Sequence, residues 1–329
     1  MGIRGLGGFL KWKVPHARKT FKFGPTQKGQ RWGIDCSCLL YRARGSGLSP
    51  LTVIASLIVR MRSAGIEPVV VFDGRPPAAK TDIIDQRRTV RVAAHKEMAE
   101  IEAELSSPEL SDNDKIMKEQ RHAALQKKAP TVSGSEKDAL KQFLYAAGVL
   151  FVTASGEADD LLAYLARAGD IQAVVSTDMD MLPRGVPVLI TPETPDCTAL
   201  TELRLSDILT GLSLTYPQFV DACMLMGSDY SGRGWRSVEP AAAVTLARRG
   251  VEWSAMDVSG SVCLALERGV DMLMGSGVRW TDLLSEKQLA KWSVGAPPCE
   301  PENVAAAASA NGWPASWISV LAPCPCPSS

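Results

Sequence analysis

The sequence predicts an α/β fold with a mostly parallel central sheet and helices on both of its faces. Short runs rich in Val, Ile and Leu are separated, in most cases, by segments with helical periodicity. Near-continuous apolar runs of this length are typical of parallel strands that are buried on both faces. The predicted strands are 31–35, 68–72, 149–152, 172–176 and 186–190.

Helices are predicted between these strands from their start and stop signals. Residues 50–64 open with Pro50 and repeat apolar residues at helical spacing. Residues 136–147 and 157–168 are each followed by a glycine, which is the commonest residue just beyond the end of a helix.

The rest of the chain carries no convincing strand signal. Residues 78–135 are rich in Lys, Arg, Glu and Gln and poor in large apolar residues, which indicates helical segments that project from the globule. From residue 203 to about residue 292 the pattern is again helical. The last segment holds one Ala-rich helical stretch and a Pro-rich tail.

The composition is that of an ordinary globular protein and excludes several classes. The 329 residues are 46% hydrophobic and 22% charged, and the formal net charge is zero, so no overall positive field indicates nucleic acid. No run approaches the ~18 apolar residues of a membrane span, and the first residues lack the features of a signal peptide. The eight cysteines include no paired C-x-x-C motif, which favours reduced thiols in an intracellular protein that is not secreted.

Acidic residues stand at or just after the ends of four predicted strands. One acid ends the first strand, one follows the second, two open the helix after the third, and two follow the fourth. The carboxyl ends of parallel strands share one edge of a sheet, so we expect these side chains to meet there. Carboxylates that are so close need cations, and hard divalent ions such as Mg²⁺ prefer a shell of oxygen ligands. The acids are Asp35, Asp73, Glu157, Asp159, Asp178 and Asp180.

Each acid also has a purely structural interpretation. Asp35 suits a helix cap, Asp73 with the following glycine suits a turn, and Glu157 and Asp159 suit a helix N-terminus. Asp160 is expected to be a surplus solvated acid. These alternatives are good one at a time, but turns alone do not explain why four consecutive strand ends all carry acids.

Six motifs together resemble those of the flap endonuclease/XPG family of structure-specific 5′-nucleases, over roughly residues 1–250. They are "MGIRGL" at the N-terminus, "IDCSCLLY" at 34–41, "VVVFDGRPPAAK" at 69–80, "SGEADD" at 155–160, "STDMDML" at 176–182 and "MGSDY" at 226–230.

The resemblance implies a PIN-like 5′-nuclease fold with a helical arch insertion and a C-terminal helical subdomain. In this chain the nuclease domain would comprise 1–77 and 136–215, with the arch at 78–135. A helical DNA-binding subdomain would follow at 216–292, and a short tail at 293–329.

The resemblance also implies two Mg²⁺ ions, with Mn²⁺ as a substitute. It adds a seventh acid, Asp229, on the predicted helical segment 217–229. Asp35, Asp73, Glu157 and Asp159 would surround one ion. Asp178, Asp180 and Asp229 would surround the other, with Asp159 between the two, as two-metal phosphodiester hydrolysis requires.

Basic residues after "FDGRPP" match the base of the family's arch. Lys80 and Arg87 correspond to catalytic residues that reach the scissile phosphate, and Arg88 and Arg91 would also contact DNA; a solvated helix face is the alternative. Tyr41 corresponds to an aromatic residue that stacks on a base, the alternative being a core tyrosine. Gly2 corresponds to a glycine that packs near the active site.

The chain departs from the family after "GSDY". Ser237 and Glu239 replace two glycines of the family's helical hairpin, and two alanines replace its basic pair. Arg233 and Arg236 are candidates to compensate by contacting DNA. These departures leave the hairpin's grip on duplex DNA and its K⁺ site in doubt. No sliding-clamp peptide is recognisable.

The resulting prediction is a metal-dependent 5′-nuclease that cleaves 5′-flap, branched or 5′-ended DNA. It is expected to be a monomer that does not associate with membranes. It is also expected to act in the nucleus or at another site of DNA replication. The alternatives are a catalytically inactive DNA-binding or scaffold homologue, and a two-metal ribonuclease of related fold.

Overall fold

The computed structural model describes residues 2–75, 81–106, 110–231, 236–253, 270–271, 274, 283–285 and 296–322, with no side-chain description for 81–84 and 87. Lys80 and Arg233, and the side chain of Arg87, therefore lie outside the described residues.

A seven-stranded sheet forms the centre of the protein, in the order β1-β7-β6-β5-β2-β3-β4. The five strands from β6 to β4 run parallel, and β7 and β1 are added antiparallel at one edge. The predicted mostly parallel sheet is confirmed. The strands are β1 (Arg18–Phe21), β2 (Arg31–Asp35), β3 (Glu67–Phe72), β4 (Leu150–Thr153), β5 (Ala173–Val175), β6 (Val188–Pro192) and β7 (Leu200–Arg204).

Two of these strands, β1 and β7, are absent from the sequence prediction. Their sequences, RKTF and LTELR, contain charged residues, and Lys19 and Arg204 are exposed. Edge strands of this kind lack the continuous apolar signal of buried parallel strands. The prediction of only helical structure from residue 203 onward is therefore wrong at its start, where β7 ends.

Helices cover both faces of the sheet because alternate residues of each strand point to opposite sides. In β3, Val69 and Val71 pack in one core, whereas Val70 and Phe72 pack in the other. The helices predicted after the first, second and third predicted strands correspond to α3, α6 and α7. The helices among the described residues are α1 (Leu6–Lys13), α2 (Cys36–Gly45), α3 (Pro50–Ser63), α4 (Thr81–Leu105), α5 (Asp112–Lys128), α6 (Gly134–Ala146), α7 (Ala158–Ala168), α8 (Leu205–Leu212), α9 (Tyr216–Met226), α10 (Pro240–Arg249), α11 (Pro301–Ala310) and α12 (Ala315–Leu321).

Close packing of α7 on the sheet depends on Gly33 in the middle of β2. A β-carbon at Gly33 would stand 2.4 Å from a methyl carbon of Leu162 and 2.7 Å from Ile171. Glycine therefore lets α7 approach the sheet closely at this strand.

The polar segment that follows β3 forms a helical hairpin of α4 and α5. Its small core contains Ala94, Ile101 and Leu125. Arg121 Nε lies 2.7 Å from Glu97 Oε1, and other ion pairs also join the two helices. This agrees with the helical segments predicted between residues 78 and 135.

Near the C-terminal end of the sheet domain, α9 packs against α10. Helix α9 ends at Met226, because Gly227 adopts a φ of +98°. The predicted helical segment 217–229 is thus too long, and Asp229 lies in the turn beyond the helix. Within the described parts of the chain, we find no helix with both the length and the apolar character needed to cross a membrane.

Candidate active site

Asp35 is the last residue of β2 and also the N-cap of α2. Its Oδ1 accepts a hydrogen bond from the Cys38 main-chain N–H at 3.2 Å, and its Oδ2 accepts one from Ser176 Oγ at 2.7 Å. The cap interpretation is therefore correct, and it is compatible with a second role. Because Ser176 follows β5, the bond to it ties two adjacent strand ends together.

Burial and a neighbouring negative charge destabilise the ionised form of Asp35. The residue is only 3% exposed. Desolvation, followed by repulsion from Asp73, raises the pKa of Asp35 from 3.8 to about 6, although the hydrogen bonds from Ser176 and Cys38 oppose this. A cation beside these two carboxylates would remove the cause of the shift.

Asp73 is exposed and is held against the start of α7. Its Oδ1 accepts a hydrogen bond from the Ala158 N–H at 2.9 Å. The Gly74 N–H donates to Gly156 O at 2.7 Å, and a β-carbon at Gly74 would stand 1.9 Å from Ala154 O. The Asp73–Gly74 turn thus requires glycine for close contact with the segment that carries Glu157 and Asp159.

Asp178 and Asp180 occupy a 3₁₀ turn directly after β5. Asp178 caps the turn, and its Oδ1 accepts a hydrogen bond from the Asp180 N–H at 3.0 Å. The Asp180 carboxylate is buried, with the residue 1% exposed. The main chain of Gly2, with a φ of +92°, lies against both acids.

The thiol of Cys38 gives an independent indication that acids from several segments converge. Its pKa is raised well above the ordinary value, first by burial and then by the charges of Asp35, Asp178 and Asp159. These three acids belong to β2, to the 3₁₀ turn after β5, and to α7. The charges of all three act on this one thiol, which indicates that β2, the turn after β5 and α7 bring these acids near one another.

Glu157 belongs to a hydrogen-bonded network that sequence reasoning misses. Tyr230 Oη donates to Glu157 Oε2 at 2.7 Å. The buried Arg184 contacts Tyr230 and Asp160 as well. The prediction of Asp160 as a surplus solvated acid is therefore wrong, because its carboxylate neutralises a buried guanidinium. The only signal in the sequence is a single arginine between Leu182 and the apolar run of β6.

The acids line one edge without forming a ready-made ligand cage. Among the described residues, no three Asp, Glu, His or Cys side chains are arranged as a group that could hold a metal ion. Asp35, Asp73, Glu157 and Asp178 instead accept hydrogen bonds from the protein. The donor set consists of carboxylate oxygens, which suits Mg²⁺ or Mn²⁺.

The hairpin of α4 and α5 approaches the sheet domain at Tyr41. The guanidinium carbon of Arg91, on α4, lies 6.0 Å from the centre of the Tyr41 ring, which is within the range of a cation–π contact. Tyr41 is partly buried against the core, which is compatible both with a core role and with a contact to DNA. Arg88 and Arg236 are exposed.

The altered segment before α10 packs on the N-terminal region. Arg4 donates to Ser237 Oγ at 3.1 Å, and the Val238 N–H donates to Leu225 O at 2.8 Å. Glu239 is the exposed N-cap residue of α10, and its side chain makes no capping hydrogen bond. The segment thus presents a carboxylate at a helix N-terminus.

Comparison with known proteins shows which family the chain resembles. The family model for the XPG N-terminal domain matches residues 1–94, and the model for the XPG I-region matches residues 148–229. Flap endonuclease 1 of Lodderomyces elongisporus is 31% identical over 248 residues, which cover 70% of this chain and 61% of that protein. Flap endonuclease 1 of Homo sapiens is 30% identical over 266 residues, covering 76% and 66%. The matches thus span less than two thirds of these relatives' length.

Solved structures show the same fold. The catalytic core of Rad2 in complex with DNA substrate superimposes with a TM-score of 0.63 at 16% identity, covering 97% of this chain and 98% of that one. Flap endonuclease-1 from Methanococcus jannaschii superimposes with a TM-score of 0.63 at 21% identity, covering 92% and 95%.

Proposed function

Because the chain belongs to the flap endonuclease/XPG family, we propose that it is a metal-dependent, structure-specific 5′-nuclease acting on 5′-flap, branched or 5′-ended DNA. The observation that carries the proposal is the acidic edge of the sheet. Asp35, Asp73 and Asp178 stand at three strand ends, and Asp178 lies against the main chain of Gly2, where a β-carbon would not fit.

In this proposal Asp35, Asp73, Glu157 and Asp159 hold one Mg²⁺, and Asp178, Asp180 and Asp229 hold a second, with Asp159 shared. The bound ions would supply positive charge to the scissile phosphate and lower the pKa of an attacking water. The hydrogen bond from Ser176 orients Asp35, and the bond from the Ala158 N–H orients Asp73. The protein's own part is to keep these acids aimed at one edge of the sheet.

The arch supplies the groups that act on DNA. We assign Lys80 and Arg87 to the reacting phosphate, where a fixed positive charge stabilises the charge that develops during hydrolysis. Tyr41 would stack on a base, with Arg88 and Arg91 on the neighbouring phosphates and Gly2 at the site. The proposed arch, residues 78–135, would admit a free 5′ strand between the nuclease segments 1–77 and 136–215.

The segment 216–292 would then contact the duplex, with Arg233 and Arg236 as its cationic contacts. The exposed Glu239 and the exposed alanines at 241 and 242 weaken this contact in the proposal, and no K⁺ site is assigned. A DNA substrate implies that the protein acts where DNA is replicated or repaired. A single chain carries all the proposed site residues, so the protein is proposed to act as a monomer.

The altered segment also favours a second candidate, an inactive homologue that binds DNA as a scaffold. Retention of the acids argues against it, because carboxylates that are close together without a cation cost stability. The pKa of Asp35 is raised first by burial and then by the charge of Asp73.

Cleavage of labelled 5′-flap, nicked, gapped and single-stranded DNA with Mg²⁺ tests the proposal. The parent protein should cut the 5′-flap or nicked substrate. Asp178→Ala and Asp73→Ala should abolish cutting while leaving DNA binding measurable. Asp170→Ala, which removes an exposed acid beyond the other end of α7, should cut normally. A parent protein that binds these substrates but never cuts them would establish the scaffold instead.

A further inference from the structure

Arg184 is the only buried basic residue among the described residues, with 2% of its surface exposed. Hydrogen bonds hold both its main-chain N–H and its main-chain carbonyl. The Arg184 N–H donates to Asp180 O at 3.1 Å, and its carbonyl accepts from Arg167 Nη1 at 2.6 Å. The side chain therefore starts from a fixed point directly after the turn that carries Asp178 and Asp180.

The guanidinium of Arg184 connects this turn to two other segments of the acidic edge. Its Nη1 donates to Asp160 on α7. Its Nη2 donates to Tyr230 Oη at 2.5 Å and lies 3.6 Å from Glu157 Oε2. Tyr230 in turn donates to Glu157 Oε2 at 2.7 Å. A continuous chain of hydrogen bonds thus runs from Arg184 through Tyr230 to a proposed metal ligand.

This arrangement exceeds what neutralisation of a buried charge requires. Burial disfavours the charged form of Arg184, but Asp160 and then Tyr230 and neighbouring acids outweigh it, so its pKa is raised above the ordinary value. The pair with Asp160 already balances the charge. The second arm of the guanidinium is directed to Tyr230 and fixes the hydroxyl that orients Glu157.

We propose that Arg184 is a positioning residue that holds Glu157, through Tyr230, in the orientation from which Glu157 binds a divalent cation. The inference rests on the proposed function. A hydrogen bond to one oxygen of a ligating carboxylate fixes the direction of its remaining lone pairs, and loss of such an outer contact typically costs about 10- to 100-fold in metal affinity.

Three replacements separate positioning from charge and from folding. Tyr230→Phe removes the link to Glu157 but keeps the ring and the Arg184–Asp160 pair. The paired replacement of Asp160→Ala with Arg184→Leu removes both charges at once, so it leaves no lone buried ion and does not alter the net charge. Arg184→Lys keeps a cation for Asp160 but lacks the forked donor geometry. Tyr216→Phe is the matched control, because it loses a 2.7 Å hydrogen bond to Pro183 O rather than to an acid.

Binding of Mn²⁺ to the metal-free protein, followed by the electron paramagnetic resonance signal of the free ion, measures the effect without catalysis. We expect Tyr230→Phe, Arg184→Lys and the paired replacement each to bind Mn²⁺ about 10-fold more weakly than the parent protein. Adding Tyr230→Phe to the paired replacement should cost little more, because both act on the same hydrogen bond. Tyr216→Phe should bind as the parent does.

Cleavage supplies a second readout. The defect of Tyr230→Phe should disappear when the Mg²⁺ concentration is raised, with unchanged affinity for DNA, which loss of structure alone would not produce. Parent-like Mn²⁺ affinity in Tyr230→Phe overturns the inference. If the paired replacement does not fold, parent-like Mn²⁺ affinity in Arg184→Lys also overturns it. If the parent protein itself binds no Mn²⁺, the proposed function fails, which is a separate result.

Discussion

The main chain of Gly2 lies directly against the carboxylate of Asp178. A β-carbon at Gly2 would stand 2.1 Å from Oδ1 of Asp178 and 3.0 Å from Oδ1 of Asp180. Gly2 also has a φ of +92°, which favours glycine for a second, independent reason. Because the Arg4 N–H donates to Gly227 O at 2.9 Å, the segment cannot easily move away from the acids.

Gly2→Ala should therefore displace Asp178 and impair the proposed metal site. Misplacement of a reacting group by about 1 Å can cost about 10²-fold in rate, so we expect a loss of this order in Mg²⁺-dependent cleavage at limiting Mg²⁺. Gly8→Ala is the matched control, since a β-carbon there meets no atom within 4 Å. A Mg²⁺ titration that is the same for both variants and the parent would contradict the role given to Gly2.

The parallel core and its acidic edge can be predicted from the sequence because both depend on short local signals. Apolar runs mark the buried strands, and strand direction then puts Asp35, Asp73 and Asp178 at one edge. Edge strands escape this reasoning, since β1 gains its place only by pairing with β7, more than 170 residues away, as in the pair of Arg18 with Leu203.

Pairwise chemistry between distant segments also escapes sequence reasoning. Arg184 is 24 residues from Asp160 and 46 from Tyr230, so no spacing rule connects them. Asp160 consequently resembles a solvated acid in the sequence, although it balances a buried charge. The close approach of Gly2 to Asp178 likewise emerges from folding, and only family resemblance indicates it in advance.

Asp35→Asn should stabilise the metal-free protein above about pH 6. The folded pKa of Asp35 lies near 6, above the ordinary value of 3.8, so its ionisation opposes folding as the pH rises from about 4 through 6. The difference corresponds to an upper limit of about 3 kcal/mol. We expect a gain of about 1–3 kcal/mol in the free energy of unfolding by urea at about pH 7.5, and nearly none at about pH 4.

The amide can still accept the bond from the Cys38 N–H, which keeps the helix cap. Mg²⁺ should stabilise the parent protein more at about pH 7.5 than at about pH 5, and Asp35→Asn should lose much of this gain. Asp170→Asn, at an exposed position, is the control. A stabilisation by Asp35→Asn that is equal at both pH values would show that charge burial is not its cause.

Lys80→Ala should slow the chemical step more than it weakens DNA binding. The proposed role of Lys80 is to stabilise charge on the reacting phosphate, and removal of one such group typically costs about 10²- to 10³-fold in rate. Single-turnover cleavage at saturating enzyme measures the step directly. Lys96→Ala, at an exposed position farther along α4, should change neither rate nor affinity appreciably. An unchanged single-turnover rate with weaker binding would make Lys80 a docking residue.

The exposed Glu239 at the N-terminus of α10 gives a prediction about duplex binding. A helix N-terminus favours anions, so it would suit a DNA phosphate. In this chain the glutamate places its own negative charge there, with no capping hydrogen bond to hold the side chain. Fewer phosphate contacts release fewer counterions, so the affinity of the parent protein for flap DNA should depend only weakly on salt and on duplex length.

Replacing Glu239 should strengthen this contact. Glu239→Gln removes the charge alone, and Glu239→Gly also permits close approach of the main chain to a phosphate. One regained phosphate contact should steepen the plot of log affinity against log salt by about 0.9, with Glu239→Gly showing the larger effect.

Cleavage at saturating substrate should change little, because the segment acts on binding rather than on the chemical step. Glu302→Gln, on the exposed face of α11, controls for the change in net charge. Binding to flap DNA across a salt series measures all four proteins, and identical slopes would mean that this segment does not touch DNA.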